Sequence, residues 1–259
     1  MYRNIFDSHA HYDDPAFDPD RDELLASLPG RGVCHVVNCG ADLPSSQKAV
    51  ELANTYPWFS AAAGIHPEEA GGAPENWEEL LEPLLASDQI VAVGEIGLDY
   101  HFRENAPREV QRALFERQIL LANKHDLPVI VHDRDAHGDT MEILRRLRPA
   151  GVIHCFSGSV EMMKEAVRLG LFIGIGGSVT FKNARVPVEV AKRLPPDRLL
   201  LETDCPYMTP VPFRGKRNDS SLIPYVAERI AEIRGENAQD ILDTAKRNAE
   251  MLFRIGVSD

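Results

Sequence analysis

The chain has 259 residues, with 28 lysines and arginines against 40 aspartates and glutamates, which gives a net charge of −12 at pH 7. An acidic chain is not an obvious nucleic-acid binder, because phosphate contacts usually come from a basic face. Apolar residues make up 44% of the sequence, enough for a large core, so an intrinsically disordered chain is excluded. A chain of this length could form two small domains or one α/β barrel of about 250 residues.

The sequence shows no segment that would place the chain in a membrane. Its longest apolar runs, such as Ile90–Val93 and Val129–Val131, are far shorter than the roughly 20 residues that cross a bilayer. No basic stretch followed by an apolar run comes after Met1, so no signal peptide is predicted. The sparse cysteines form no C-x-x-C pair, which favours reduced thiols. We therefore predict a cytoplasmic protein.

Short apolar runs alternate with helical stretches along the chain. Eight strands are predicted, at Ile5–His9, Cys34–Cys39, Phe59–Ile65, Ile90–Glu95, Val129–His132, Val152–Cys155, Phe172–Ile175 and Leu199–Glu202. Most are continuous apolar runs, which is typical of parallel strands covered on both faces. Strand and helix alternate without a Gly/Ser-rich linker, so we predict one (β/α)8 TIM barrel as a single domain over residues 1–259. A doubly wound open sheet is the alternative, but no G-x-G-x-x-G follows the first strand.

Apolar stripes at helical spacing mark several of the helices. The stripes consist of Trp77, Leu80, Leu81, Leu84 and Leu85; of Val110, Ala113, Leu114, Leu120 and Leu121; and of Val160, Met163 and Val167. Pro83 predicts that the first of these helices is kinked or starts late. Gly170 is the expected stop of the third. A last helix is predicted at about Ala238–Phe253.

Polar side chains stand where the predicted strands end, which is the edge of a barrel where active sites form. They are His9, His11, His66, Glu95, His132, His154, Glu202 and Asp204. His9 and His11 lie two residues apart, so both point to the same side of an extended chain. A single histidine of this kind is more often a satisfied buried residue. Burying so many titratable groups on one rim without counter-charges would be expensive, so the joint pattern favours a metal site.

The expected metal ligands are His9, His11, Glu95, His132, His154 and Asp204. Four imidazoles and two carboxylates exceed what one tetrahedral ion needs. We therefore predict two divalent ions that share a carboxylate.

With these residues identified, the chain resembles the TatD family of metal-dependent deoxyribonucleases, within the wider amidohydrolase-like barrels. The matching segments are Phe6–His11 (FDSHAH), Gly64–Pro67 (GIHP), Gly94–Tyr100 (GEIGLDY), His154–Gly158 (HCFSG), Leu201–Tyr207 (LETDCPY) and Arg214–Asn218 (RGKRN). They run from the first strand to beyond the eighth, so the resemblance covers nearly the whole chain. Two positions depart from the family: Glu68 stands where HPH is common, and Asp219-Ser220 stand where Glu-Pro is common.

The resemblance implies a ligand assignment and an activity. His9, His11 and Asp204 would hold one metal, and His132 and His154 would hold the second, with Glu95 bridging the two. Proteins of this family are described as Mg²⁺- or Mn²⁺-dependent nucleases, in several cases 3′→5′ exonucleases on DNA. A set rich in imidazoles also suits Zn²⁺, Fe²⁺ or Ni²⁺.

Catalytic and supporting roles follow as hypotheses. We expect Asp204 to act as general base toward a water activated by the metals, with Glu95 as the other catalytic carboxylate. Glu202 lies two residues from Asp204, and we expect it to orient a metal ligand. A structural ion pair is the alternative role for Glu202.

Three residues are expected to contact the substrate: His66, Arg217 and Asn218. Loops that follow the seventh and eighth strands often bind phosphate in barrels, and an arginine can bind phosphate with two hydrogen bonds. His66 could contact phosphate or sugar, or be a packed strand-end histidine. Tyr100, Phe102 and Arg103 form a loop that could stack on a base or could pack plainly.

Two other functions stay open from the sequence. One is a different hydrolase at the same rim, acting on an amide, lactone or phosphotriester; the other is a metal-stabilised barrel that binds a ligand without turnover. The basic residues Arg214, Lys216 and Arg217 favour the nuclease. Because the net charge opposes a broad grip on duplex DNA, we predict engagement of DNA or oligonucleotide ends, by a monomer.

Overall fold

The structure is a computed structural model, and it describes residues 2–256. Its strands are β1 (Ile5–Ala10), β2 (Val33–Cys39), β3 (Phe59–Ala63), β4 (Ile90–Asp99), β5 (Val129–Arg134), β6 (Gly151–Ile153), β7 (Phe172–Ile175) and β8 (Leu199–Leu201). They form one sheet in sequence order, and every neighbouring pair from β1 to β8 is parallel. The predicted TIM barrel is therefore confirmed, and the open-sheet alternative is wrong.

The barrel closes where β1 meets the segment after β8. Ala10 and Cys205 form an isolated parallel bridge there. The Asp204 amide donates to the His9 carbonyl at 3.0 Å, and the His11 amide donates to the Cys205 carbonyl at 2.9 Å. We call this contact between the first and last strands the seam. The seam brings His9 and His11 of the first segment next to Asp204, which follows β8.

Helices surround the barrel between the strands. They are α1 (Arg21–Ser27), α2 (Leu43–Thr55), α3 (Trp77–Leu85), α4 (Arg108–Lys124), α5 (His137–Leu147), α6 (Val160–Arg168), α7 (Arg185–Arg193), α8 (Ile223–Arg234) and α9 (Ala238–Phe253). The predicted bounds of α9 are confirmed. Gly170 follows the end of α6 with a φ of +93°, a conformation that glycine adopts at low cost, so the predicted stop is also confirmed.

Two of the predicted helix stripes need correction. Helix α3 begins at Trp77, so it does not start late, and Pro83 lies inside its last turn. Leu80, Val110 and Leu120 are 46%, 43% and 55% exposed and do not belong to the core. In α4 the buried side consists of Gln111, Leu114, Phe115, Gln118, Ile119, Leu121 and Ala122. The helix is therefore rotated relative to the predicted stripe, because Phe115 and Ile119 occupy its centre.

Strand β4 extends four residues beyond its predicted end at Glu95, and Gly97 allows this extension. The main chain of Gly97 has a φ of +149°, and a Cβ at this position would lie 2.0 Å from the His132 carbonyl oxygen. Only glycine therefore permits β4 and β5 to approach here. The close contact sets Glu95 and His132 on neighbouring strands at the same end of the barrel.

None of the helices between residues 2 and 256 is both long enough and apolar enough to span a bilayer. The cytoplasmic location and the monomeric state stay predictions.

Candidate metal centre

The six residues predicted as metal ligands meet at the carboxyl end of the barrel. Their nitrogen and oxygen atoms form three groups, and within each group the atoms lie within 4.8 Å of one another. The groups are His9, His11 and Glu95; His66, Glu95 and His132; and His9, His154 and Asp204. The structure therefore brings the whole predicted ligand set together and places His66 beside it.

Glu95 occupies the centre of this cluster, and its side chain is almost fully buried. One carboxylate oxygen, Oε1, lies 2.6 Å from His154 Nε2 and 2.8 Å from His132 Nδ1. The other, Oε2, lies 3.2 Å from His9 Nε2 and 3.4 Å from His11 Nε2. Burial opposes ionisation, but the surrounding histidines outweigh it and hold the pKa of Glu95 well below its usual range. Each oxygen thus faces a different pair of histidines, as a bridging carboxylate would.

In two of the rings, a hydrogen bond on the far side fixes which nitrogen faces the centre. His11 Nδ1 lies 2.8 Å from the Cys39 carbonyl and donates to it, so Nε2 keeps its lone pair. His132 Nε2 lies 3.2 Å from Asp99 Oδ2, which leaves Nδ1 for the centre. Metal-binding histidines are commonly oriented in this way by a carbonyl or carboxylate. The donor atoms therefore fit a divalent ion.

The histidines differ in their tendency to hold a proton. Burial lowers the pKa of His9 to about 4, so its ring is neutral at pH 7. Burial also acts on His132, but hydrogen bonds to Asp99 and Glu95 outweigh it and raise its pKa to about 10. Because a metal ligand must be deprotonated, protons and metal ions compete for these nitrogens.

His66 differs from the other histidines in the nitrogen that it presents. Its Nδ1 accepts a hydrogen bond from the Glu68 amide at 3.2 Å, so the proton of the neutral ring is on Nε2. Burial lowers the pKa of His66, which favours this neutral form. Nε2 lies 3.5 Å from Glu95 Oε1. His66 therefore offers a donor and not a lone pair to the centre, which agrees with a polar contact better than with metal ligation.

Asp204 reaches the centre through an unusual main-chain conformation. Its φ of +58° lies in the left-handed region, and Cys155, next to His154, has a φ of +41°. Such conformations cost about 1–3 kcal/mol each and tend to occur at functional sites. Asp204 Oδ1 lies 3.5 Å from His11 Nε2. Burial opposes ionisation, but His11 and the other nearby histidines outweigh it and lower the pKa of Asp204.

The sequence of this chain is similar to known proteins over nearly its whole length. The sequence matches the family described as TatD related DNase over residues 6–254. The chain belongs to this family. It is 41% identical over 254 residues to the metal-dependent hydrolase YabD of Bacillus subtilis, covering 97% of this chain and 99% of that protein. It is 33% identical over 261 residues to the 3′-5′ ssDNA/RNA exonuclease TatD of Dickeya dadantii, covering 97% and 98%.

The fold of this chain also matches a solved structure from the same family. The TatD homologue YJJV from Escherichia coli K12 superposes with a TM-score of 0.92 at 33% identity, covering 98% of this chain and 100% of that one. The predicted family and hydrolase class are thereby confirmed. The roles of the individual site residues stay predictions.

Glu202 lies beneath this TatD-family centre, fully buried. One of its oxygens accepts a hydrogen bond from the Cys155 amide, next to His154. Gly174 makes room for the other, because a Cβ there would lie 2.3 Å from Glu202 Oε2. Burial raises the pKa of Glu202 to about 8. Glu202 thus contacts the main chain beside a ligand, and its expected orienting role stays a prediction.

The prediction from the sequence did not include two supporting carboxylates, Asp99 and Asp7. Asp99 orients His132, and its even spacing from Glu95 along β4 was the available signal. Asp7 is buried and accepts hydrogen bonds from the amide and hydroxyl of Thr203 at 3.0 and 2.6 Å and from the Ser220 hydroxyl at 2.7 Å. It therefore fixes β1 to the segment that follows β8, where Asp204 lies.

Changing Asp99 to asparagine is expected to lower metal affinity by about 10- to 100-fold. The new amide can present its NH2 group to His132 Nε2, which then favours the proton on the centre-facing Nδ1. Calorimetric titration with Mn²⁺ measures the affinity. Asp133→Asn is the matched control, because Asp133 pairs with His137 at 2.7 Å, on a ring outside the centre. Equal affinity in Asp99→Asn and wild type would contradict the assignment.

The loop after β8 makes contacts within the protein. Arg217 forms an ion pair with Asp20 at 2.6 Å, and its guanidinium lies 4.7 Å from the centre of the Phe17 ring. The buried Asn218 amide donates to the Thr203 and Tyr207 carbonyls at 3.0 and 2.7 Å. Neither residue lines the cleft above the centre. Their contact with substrate therefore stays a prediction, and the structure gives Asn218 a folding role as well.

Replacing Asn218 by alanine is expected to reduce the free energy of unfolding by about 1–3 kcal/mol, because the buried Thr203 carbonyl and the partly buried Tyr207 carbonyl lose their donor. Urea denaturation measures the change. Asn54→Ala, at an exposed position of α2, serves as control and should stay within about 0.5 kcal/mol of wild type. If both variants unfold at the wild-type urea concentration, Asn218 has no such structural role.

A cleft of about 640 Å³ opens above the centre. Apart from the residues of the centre, the cleft is lined by Asp13, Asp14, Pro15, Ala41, Glu68, Phe102, Arg134, Tyr207 and Met208. Phe102, one of the residues expected to stack on a base, therefore borders the cleft. Tyr100 does not, and its hydroxyl donates to Asp139 at 2.8 Å. The cleft thus combines three carboxylates, two aromatic rings and one arginine around the metal ligands.

Proposed function

We propose that this chain is a divalent-metal-dependent nuclease that removes nucleotides from the 3′ end of single-stranded DNA. The observation that carries the proposal is the position of Glu95, with each carboxylate oxygen facing its own pair of histidines. The relative from Dickeya dadantii, named a 3′-5′ ssDNA/RNA exonuclease, supports this substrate and this direction.

Two divalent ions would be held by this ligand set. His9, His11 and Asp204 would hold one, His132 and His154 the other, and Glu95 would contact both. When bound, such ions lower the pKa of water and stabilise negative charge on phosphate oxygens. Mg²⁺ or Mn²⁺ suits the carboxylates, and Zn²⁺, Fe²⁺ or Ni²⁺ suits the imidazoles.

The protein's own groups would then move the proton and orient the phosphate. Asp204 has a lowered pKa and is ionised at neutral pH, so its carboxylate can accept the proton of the attacking water. His66 presents its Nε2 proton toward the same space and can donate to a phosphate oxygen. Asp99 and Glu202 would keep the rings of His132 and His154 in place.

The walls of the cleft favour a chain end over a long strand. Asp13, Asp14 and Glu68 line it, and like charges oppose a polyanion laid across the mouth. A terminal nucleotide brings few phosphates into this field. Entry by a chain end is therefore the mode that we propose.

The test is digestion of a 5′-labelled single-stranded oligonucleotide with Mg²⁺, Mn²⁺ or EDTA. We expect a ladder that shortens from the 3′ end with metal and an intact band with EDTA. Single-stranded circular DNA is the matched substrate without ends and should persist. Cleavage of the circle as fast as the linear strand would contradict terminal entry. Absence of any release with either metal would contradict the nuclease, and turnover of a lactone or phosphotriester would then favour the alternative hydrolase.

A further inference from the structure

Arg134 has a distinctive position at the mouth of the cleft. It ends β5 two residues after His132, so both side chains lie on the same face of the strand. The rise between them is roughly 6.6 Å along the strand. Arg134 is the only lysine or arginine among the described residues that line the cleft. It therefore places one positive charge just beyond the metal ligands.

The Arg134 guanidinium is also available for binding. Within residues 2–256 it has no carboxylate within ion-pair distance, and its side chain makes no hydrogen bond to the protein. Arg217, by contrast, is paired with Asp20. The Arg134 guanidinium lies 4.8 Å from the centre of the Phe102 ring, a contact that restricts its plane without using its N–H donors.

We infer that Arg134 binds the phosphate next to the scissile one, on its 5′ side. This inference rests on the proposed function. At a 3′-terminal linkage the only neighbouring phosphate lies on the 5′ side, and the carboxylates of the cleft walls cannot accept it. A guanidinium held on an aromatic ring presents paired donors that match two phosphate oxygens. Arg134 would thus set the position of the strand, while the metal ligands act on the linkage that is cut.

The experiment compares substrates that have or lack this neighbouring phosphate. A thymidine octanucleotide has it, and bis(p-nitrophenyl) phosphate, a single diester, does not. Arg134→Gln is expected to reduce kcat/KM on the oligonucleotide by about 10- to 100-fold, mostly through KM, because a charged hydrogen bond is lost. Its activity on the small diester should stay within about twofold of wild type, because that substrate does not reach Arg134.

Arg108→Gln is the matched control variant. The Arg108 guanidinium also lies over an aromatic ring, 4.3 Å from the centre of Tyr100, but the residue does not line the cleft. Arg108→Gln removes the same charge as Arg134→Gln, so a general electrostatic effect would appear in both variants. We expect wild-type kinetics on the oligonucleotide. An equal loss in the two variants would overturn a specific contact.

An octanucleotide with one neutral methylphosphonate, placed one linkage before the 3′-terminal one, probes the contact from the substrate side. Wild type should lose about 10- to 100-fold on this substrate, and Arg134→Gln should lose little more. If wild type cleaves both oligonucleotides equally well, or if the two losses multiply, the assignment of Arg134 is wrong. If wild type cleaves neither the oligonucleotide nor the small diester, the proposed function itself fails.

Discussion

Glu95→Gln is expected to remove metal binding and hydrolysis together. The glutamine side chain has nearly the shape of glutamate, but it carries no charge and offers one oxygen instead of two. Its NH2 group would face one of the two histidine pairs, at the place where a ligand oxygen now lies 2.6–3.4 Å from the ring nitrogens. Because bound ions contribute several kcal/mol to such reactions, we expect kcat to fall by at least about 1,000-fold.

Metal content measured by mass spectrometry is the decisive readout for Glu95→Gln, with circular dichroism to verify the fold. Glu68→Gln is the matched control, because Glu68 lines the same cleft and its carboxylate belongs to none of the three ligand groups. The control should keep the wild-type metal content and most of the activity. Full metal loading in Glu95→Gln would show that the carboxylate is not a bridging ligand.

Asp204→Asn is expected to separate chemistry from metal retention. The amide keeps one oxygen that can stay near His11, but it cannot accept a proton from water. Loss of a general base costs about 100- to 10,000-fold in rate, so we expect kcat to fall in this range while KM changes little. The measurement is nucleotide release from a single-stranded oligonucleotide at saturating Mn²⁺.

Asp14→Asn controls for the removal of a cleft carboxylate in that experiment. Asp14 borders the cleft and accepts a hydrogen bond from the Tyr207 hydroxyl at 2.8 Å, away from the ligand groups. We expect its kcat to remain within a few-fold of wild type. Activity of Asp204→Asn at the level of Asp14→Asn would exclude Asp204 as the base and would indicate another acceptor.

The barrel could be predicted because most of the strands are buried apolar runs, and eight strands alternate with helices. The orientation of α4 could not, because Val110 and Leu120 fit a helical stripe as well as Phe115 and Ile119 do. Which stripe is buried depends on the packing of the whole outer layer. Local periodicity does not contain that information.

The centre could be predicted in part for a related reason. Strand ends of a barrel meet at one rim, so residues such as Glu95 and His154 are brought together by topology alone. Partners set by loops and hydrogen bonds could not be foreseen in the same way. The pairing of Arg217 with Asp20, and the Glu68 amide that fixes the proton of His66, depend on loop conformations that no strand pattern encodes.

Because the metal centre lies at the seam, a bound ion would also affect the stability of the barrel. Main-chain contacts hold the first and last strands together there at few points, among them the bridge between Ala10 and Cys205. His9 and His11 lie near one end of the chain and Asp204 lies toward the other. An ion held by all three would therefore cross-link the two sides of the seam. A ligand that binds only the folded state raises the free energy of unfolding as its concentration rises. The concentration of metal would then set the free energy of unfolding of the barrel as well as the rate of hydrolysis.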